Sequence, residues 1–146
     1  MTSPEPPHGG GAPRPPAGGP ATTVLPACYD LLRWLLPKVA AFPRAHRFTL
    51  GDRVVTAGLD MLDLLLVARF RPRERAAALE DANIRLERLR YLLRLARELQ
   101  CLSLAEYEHA ARLVVPMGRQ VGAWLRHAHA TSAPDRQGRA RGHAPE

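Results

Sequence analysis

From Pro72 to Gln100 the chain repeats apolar residues at intervals of three and four: Leu79, Leu86, Leu89, Leu92, Leu93, Ala96 and Leu99. A period near 3.6 gathers these side chains on one face of an α-helix, whereas a strand would scatter them over both faces. The pattern predicts a helix over about 73–100, opened by Pro72. At about 1.5 Å per residue it would span roughly 40 Å, the longest element of the chain. Such a helix is stable only when its apolar stripe is covered, so the rest of the chain must supply helices to pack against it.

Three further segments have the required periodicity. The first, about 26–42, carries Leu31, Leu32, Leu35, Leu36, Val39 and Phe42, with Pro37 placed to kink it and Phe42-Pro43 to end it. The second, about 50–70, gathers Val54, Met61, Leu62 and Leu65 on one face, with Asp52, Thr56, Asp60 and Asp63 on the other. Thr49 with Asp52 reads as its capping box. The third, about 104–128, opens on Ser103 and Glu106, a second capping box, and buries Tyr107, Ala110, Ala111, Val114, Gly118, Val121 and Leu125. No alternating strand pattern or hairpin dipeptide competes. Short connections make neighbours antiparallel, so the fold class is all-α, an up-down four-helix bundle. The longest connection is FPRAHRFT, residues 42–49.

The bundle is expected over 24–130, between two tails expected to be disordered. Residues 1–23 are dominated by Pro and Gly, and 131–146 are small, polar and mildly basic through Arg136, Arg139 and Arg141. The chain has a net charge of +7. Its 21 basic residues comprise Lys38 and 20 arginines. Counting 24–130 alone gives 17 basic and 11 acidic residues, so +6 of the charge belongs to the bundle. A surface of that sign favours acidic partners: nucleic acid, an anionic membrane or an acidic protein. The longest apolar run, Leu64 to Ala68, has five residues, far short of the roughly 20 that cross a bilayer. Cys28 and Cys101 stand 73 positions apart without further ligands, which argues against a zinc site or disulfide framework. A soluble, intracellular protein of a reducing cytoplasm is the expectation.

Nothing in the sequence assembles a catalytic site. His46, His109 and His127 have no nucleophile or relay partner at helical spacing beyond Glu106 or Glu108 beside His109. Asp60 and Asp63 lack a third metal ligand, and no phosphate-binding glycine motif occurs. The expectation is a non-enzyme with no cofactor and no metal.

The candidate binding residues are basic. On the long helix Arg90, Arg94 and Arg97 fall within an arc of about 60°, expected opposite the leucine stripe. Such a strip suits the phosphates of a nucleic acid strand; a solvated face with local ion pairs to Glu87 and Glu98 is the competing reading. Arg85 and Arg88 project toward the leucine side, which places them either at the helix edge or against a polar channel of an oligomer. Lys38, Arg44, Arg47 and Arg53 form a second cluster at one end of the bundle, with His46 beside them. With little aromatic interleaving, contact would run through the backbone of the nucleic acid and carry little sequence preference. In the last helix Gly118 and Gly122 form a GxxxG, with Trp124 at its edge and Pro116 ahead of it. Two glycines inside a helix predict close approach of another helix, within the bundle or between subunits.

Three stretches together, FPRAHRFTLGDR at 42–53, LRLARELQCLS at 93–103 and YEHAARLVVPMGRQVGAWLR at 107–126, resemble the accessory variability determinant (Avd) proteins of diversity-generating retroelements. That group is related to the four-helix proteins encoded in intervening sequences of bacterial 23S rRNA genes. The resemblance covers about residues 28–127. It implies a homopentameric barrel with a positive surface, association with the retroelement's reverse transcriptase, and binding of its template RNA during mutagenic cDNA synthesis. The alternative is a structural interaction module, of the intervening-sequence type, that docks an acidic protein and meets no RNA.

Overall fold

The computed structural model describes residues 21–132. It consists of α1 (Ala21–Ala40), a single turn α2 (Arg44–His46), a π-helical turn (Arg47–Gly51), α3 (Asp52–Phe70), α4 (Arg75–Glu98) and α5 (Leu104–Ser132). No strand occurs among the described residues. The four long helices pack in a closed cycle: α1 on α3, α3 on α4, α4 on α5 and α5 back on α1. This is the all-α up-down bundle that the periodicities predict. Helices α1 and α5 also take in positions the composition had assigned to tails; residues 1–20 and 133–146 lie outside the described residues.

The core is apolar throughout, and no polar or charged residue is buried among the described ones. Leu31, Leu35, Met61, Leu65, Leu79, Leu86, Leu89 and Met117 form its centre. The expected stripe of α4 is buried at Leu79, Leu86, Leu89, Leu93 and Ala96, but Leu92 is only half-buried and Leu99 lies at the exposed end. Trp124 is buried rather than at an edge, with the Arg75 guanidinium 5.7 Å from its ring centre.

The helix ends differ from expectation where tertiary contacts replace local signals. No cap forms at Thr49. Its hydroxyl donates to the His46 carbonyl at 3.4 Å, while its own carbonyl accepts the Asp52 N–H. The physical reason is that 42–49 is not a loop but is wound almost entirely into helical turns, so α3 has no free N-terminus there to cap. Phe42 is fully buried, Leu50 packs inward, and a Cβ on Gly51 would sit 3.0 Å from Val39 Cγ1. Pro72 lies in the α3–α4 turn, ahead of the first residue of α4. There Arg75 Nε donates to the Ala68 carbonyl at 2.6 Å, closing α3.

Helix α4 ends at Glu98, and Gln100 takes a left-handed conformation with φ of 61°. Gln100 N–H then reaches the Arg97 carbonyl at 3.1 Å and Cys101 N–H the Ala96 carbonyl at 2.8 Å, the pairing of a Schellman motif. The cap of α5 forms as expected. Ser103 N–H donates to Glu106 Oε1 at 2.9 Å, and Glu106 N–H to Ser103 Oγ at 3.1 Å.

Candidate nucleic-acid interface

The arginines of α4 do not lie opposite the core. Arg90 and Arg97 are half-buried and Arg94 is exposed, on the flank of α4 that faces α5. The outermost face of the helix belongs instead to Ile84, Arg88, Tyr91 and Leu95, four successive positions at intervals of four, three and four. The leucine stripe misled because it included Leu92 and Leu99, which rotate its apparent centre away from α5.

Each flanking arginine has a definite setting. The Arg90 guanidinium pairs with Glu87 through Nη1. Its Nη2 lies against Gly118 on α5, where any Cβ would overlap it. Arg94 Nε pairs with Glu98 at 3.2 Å. For Arg97 no carboxylate lies within ion-pairing distance among the described residues. Both ion pairs are local and solvent-facing, so each contributes little and yields readily to a phosphate. On α5, Arg112, Arg119 and Arg126 are exposed at intervals of seven, on the face turned away from the core. The structure brings Arg90 and Arg94 of α4 beside Tyr107 of α5, which periodicity on one helix could not reveal. The missed signal was the pairing of helices, which sequence periodicity does not give.

Arg85 sits at the α3–α4 edge and pairs with Asp60 at 3.9 Å, and Arg88 is exposed on the outer face, so neither occupies the core side. The second cluster splits by role. Arg47 turns inward, and its Nε and Nη2 both donate to the Phe42 carbonyl at 3.3 Å, bracing the turn. Arg44 and Arg53 are exposed. Lys38 bridges α1 to α5 through Glu106 at 3.2 Å, with its ammonium 5.7 Å from the Trp34 ring. The Ser103 backbone N–H, with further help from Lys38, holds the Glu106 carboxyl below its ordinary range, against the opposing effect of burial.

Gly118 and Gly122 do not mark a close backbone-to-backbone contact among the described residues. The atoms nearest a Cβ on Gly118 are side-chain atoms of Arg90 and Leu86, and on Gly122 the Arg126 guanidinium at 3.5 Å. The glycine under pressure from a neighbouring helix is Gly58 of α3, whose Cβ would meet Leu32 Cδ2 at 2.7 Å.

No group of metal-ligating side chains occurs among the described residues. Cys28 and Cys101 are free thiols, and burial pushes that of Cys28 up to about 12, far from a reactive thiolate. No described helix is long and apolar enough to cross a membrane.

An apolar core, short connections and an arginine-bearing flank define a small basic four-helix-bundle protein. A family model described as bAvd-like matches residues 24–128, and the chain belongs to that family. The match begins at Val24 and ends at Ala128, the first and last buried residues among those described. The motif at 42–53 lies within the match, and its Phe42, Arg47, Leu50 and Gly51 build the braced turn between α1 and α3. No curated protein matches the chain.

Proposed function

We propose that this chain is a non-catalytic accessory protein of a diversity-generating retroelement, which binds the element's reverse transcriptase and its template RNA and so supports mutagenic cDNA synthesis. The observation that carries the reading is the family match over the whole bundle. The basic side chains of α4 and α5 support the RNA part: Arg90, Arg94 and Arg97 on the α4 flank and the exposed Arg112, Arg119 and Arg126 of α5 could each meet a phosphate. Exposed apolar side chains away from that flank support protein contacts. Tyr29 of α1 and Leu59, Leu66 and Phe70 of α3 are all exposed, Phe70 by 72%. Such side chains suit the polymerase or further copies of the chain in a pentameric ring. The bundle's part is scaffold and charge; the polymerase holds the chemistry. The setting is the bacterial cytoplasm, where template RNA is made.

The test is RNA binding by the full chain, titrated with salt. The logarithm of the affinity should fall linearly with the logarithm of salt, by about 0.7 to 0.9 per phosphate contacted. Arg90, Arg94 and Arg97 changed together to Ala should reduce that slope. A folded protein that binds no RNA at low salt overturns the RNA reading, and leaves a bundle that docks an acidic protein.

A further inference from the structure

Between α4 and α5 the bundle leaves a slot of about 190 Å³, lined by Leu93, Tyr107, Ala111, Val114 and Val115, with Arg90 at its side. A more open hollow of about 210 Å³ adjoins it, sharing Arg90 and Tyr107 and adding Glu87, Tyr91 and Arg94. The inner compartment is apolar and the outer one charged, so the pair is amphipathic along its depth. Cavities of about 150 Å³ accept a single benzene ring, and pockets for drug-sized ligands begin near 300 Å³. The slot is thus scaled to one ring system. A ligand that fills both compartments has a flat ring, with faces that pack on apolar surface and an edge left toward solvent, joined through a short spacer to an anion.

A nucleotide in a single strand has that form. In a duplex its base is stacked and paired, and only sugar and phosphate face the protein. We propose that the α4–α5 slot receives one unstacked base of a single-stranded RNA, packed against the Tyr107 ring, with the adjoining phosphates on Arg90 and Arg94. The inference rests on the RNA-binding reading and deepens it. Without RNA the two guanidinium groups pair with Glu87 and Glu98, contacts weak enough to yield to phosphates. Gly118 leaves room for the Arg90 guanidinium to lie across α5 at the slot. Tyr91 is 69% exposed at the rim of the outer hollow, where it offers a platform for the neighbouring base. Apart from Arg90, the residues lining the slot present apolar surface and the Tyr107 hydroxyl, so the base is held by stacking and its identity is read weakly.

The experiment compares a short single-stranded RNA, carrying a fluorescent purine analogue, with a hairpin duplex of the same length. The protein is the full chain and two variants that fill the slot without touching an arginine, Ala111→Leu and Val115→Phe. Val115 is 44% exposed at the slot wall, so its variant folds even if a larger residue at Ala111 disturbs packing; thermal melts establish this. On the parent chain the analogue's fluorescence should change as it stacks. Both folded variants should bind the single strand about tenfold more weakly, the effect of losing one stacked base, and bind the duplex as before. If the parent binds RNA but the variants retain full single-strand affinity and the analogue stays silent, the slot is not a base site while the RNA reading stands. If the variants keep RNA binding and lose association with the reverse transcriptase, the slot belongs to a protein side chain and the inference is overturned. If the parent binds neither RNA, the RNA reading itself has failed, and the slot inference with it.

Discussion

Arg90 on α4 lies across Gly118 on α5, with its Nη2 in the space a Cβ at Gly118 would occupy. The glycine therefore makes room for a guanidinium, and the obstacle to a larger residue is the free end of a flexible side chain. Gly118→Ala should leave the fold intact. The gain in helix propensity is about 1 kcal/mol, and it outweighs the surface pair with Glu87 that the displaced Arg90 would give up, worth a few tenths. A melting temperature equal to or above the parent's, together with altered RNA binding, is the expected result. A loss above about 1 kcal/mol would mean that Leu86, 3.4 Å from the same position, is the true obstacle.

Gly58→Ala should behave oppositely. Its Cβ would press on Leu32 Cδ2 at 2.7 Å, and Leu32 is buried between α1 and α3 with little freedom to move. Overpacking costs about 1–3 kcal/mol, more than the propensity gain returns. The double variant with Leu32→Val should recover stability in denaturant melts. If the two changes are merely additive, the contact is not the cause.

This contrast shows what the sequence could and could not tell. The four helices were legible because each keeps an apolar stripe at helical period, and the α5 cap because Ser103 and Glu106 stand three apart before that stripe. The meaning of the glycines was not legible. Gly118 and Gly122 form a familiar spacing, yet what meets a glycine depends on the neighbouring helix, and Gly58 has no motif around it. For the same reason Arg47 read as one of a basic cluster, although its guanidinium is committed to the Phe42 carbonyl. The candidate site was half legible: Arg90, Arg94 and Arg97 were visible, but not the position of Arg90 and Arg94 beside Tyr107 of α5.

Gln100 holds a φ of 61°, a region that costs a residue with a Cβ about 1 kcal/mol and costs glycine almost nothing. Nothing in its setting calls for the glutamine side chain, which is exposed. Gln100→Gly should raise stability by about 0.5–1 kcal/mol, and Gln100→Val should lower it. Chemical denaturation of the two variants checks both signs.

Arginines that brace the fold should separate from arginines that face solvent. Arg47→Ala removes both donors from the Phe42 carbonyl and should cost about 1–2 kcal/mol in unfolding, since hydrogen bonds from charged groups are the stronger kind. Arg44→Ala and Arg53→Ala remove exposed groups and should stay within about 0.5 kcal/mol of the parent. Equal losses for all three would place Arg47 on the surface with the others.

The α5 cap gives a pH dependence with a definite sign. The Ser103 N–H bond, and after it Lys38, hold the Glu106 carboxyl below its ordinary value of 4.5, so the folded state binds this proton less readily than the unfolded chain. The resulting stability is complete above the ordinary value and fades as pH falls through the lowered one. Glu106 is half-buried and still reached by solvent, so the effect is modest and should shrink with salt. In Glu106→Gln the amide oxygen still accepts the Ser103 N–H, but the charge that titrates is gone. Denaturation midpoints taken between about pH 6 and pH 3 should therefore fall less steeply for Glu106→Gln than for the parent. Ser103→Ala should lose about 1 kcal/mol at neutral pH, because it leaves the Glu106 N–H without its side-chain acceptor. Parallel pH profiles for the parent and Glu106→Gln would show that the carboxylate contributes nothing to the cap as a charge, and would leave the lowered Glu106 pKa without a consequence for folding.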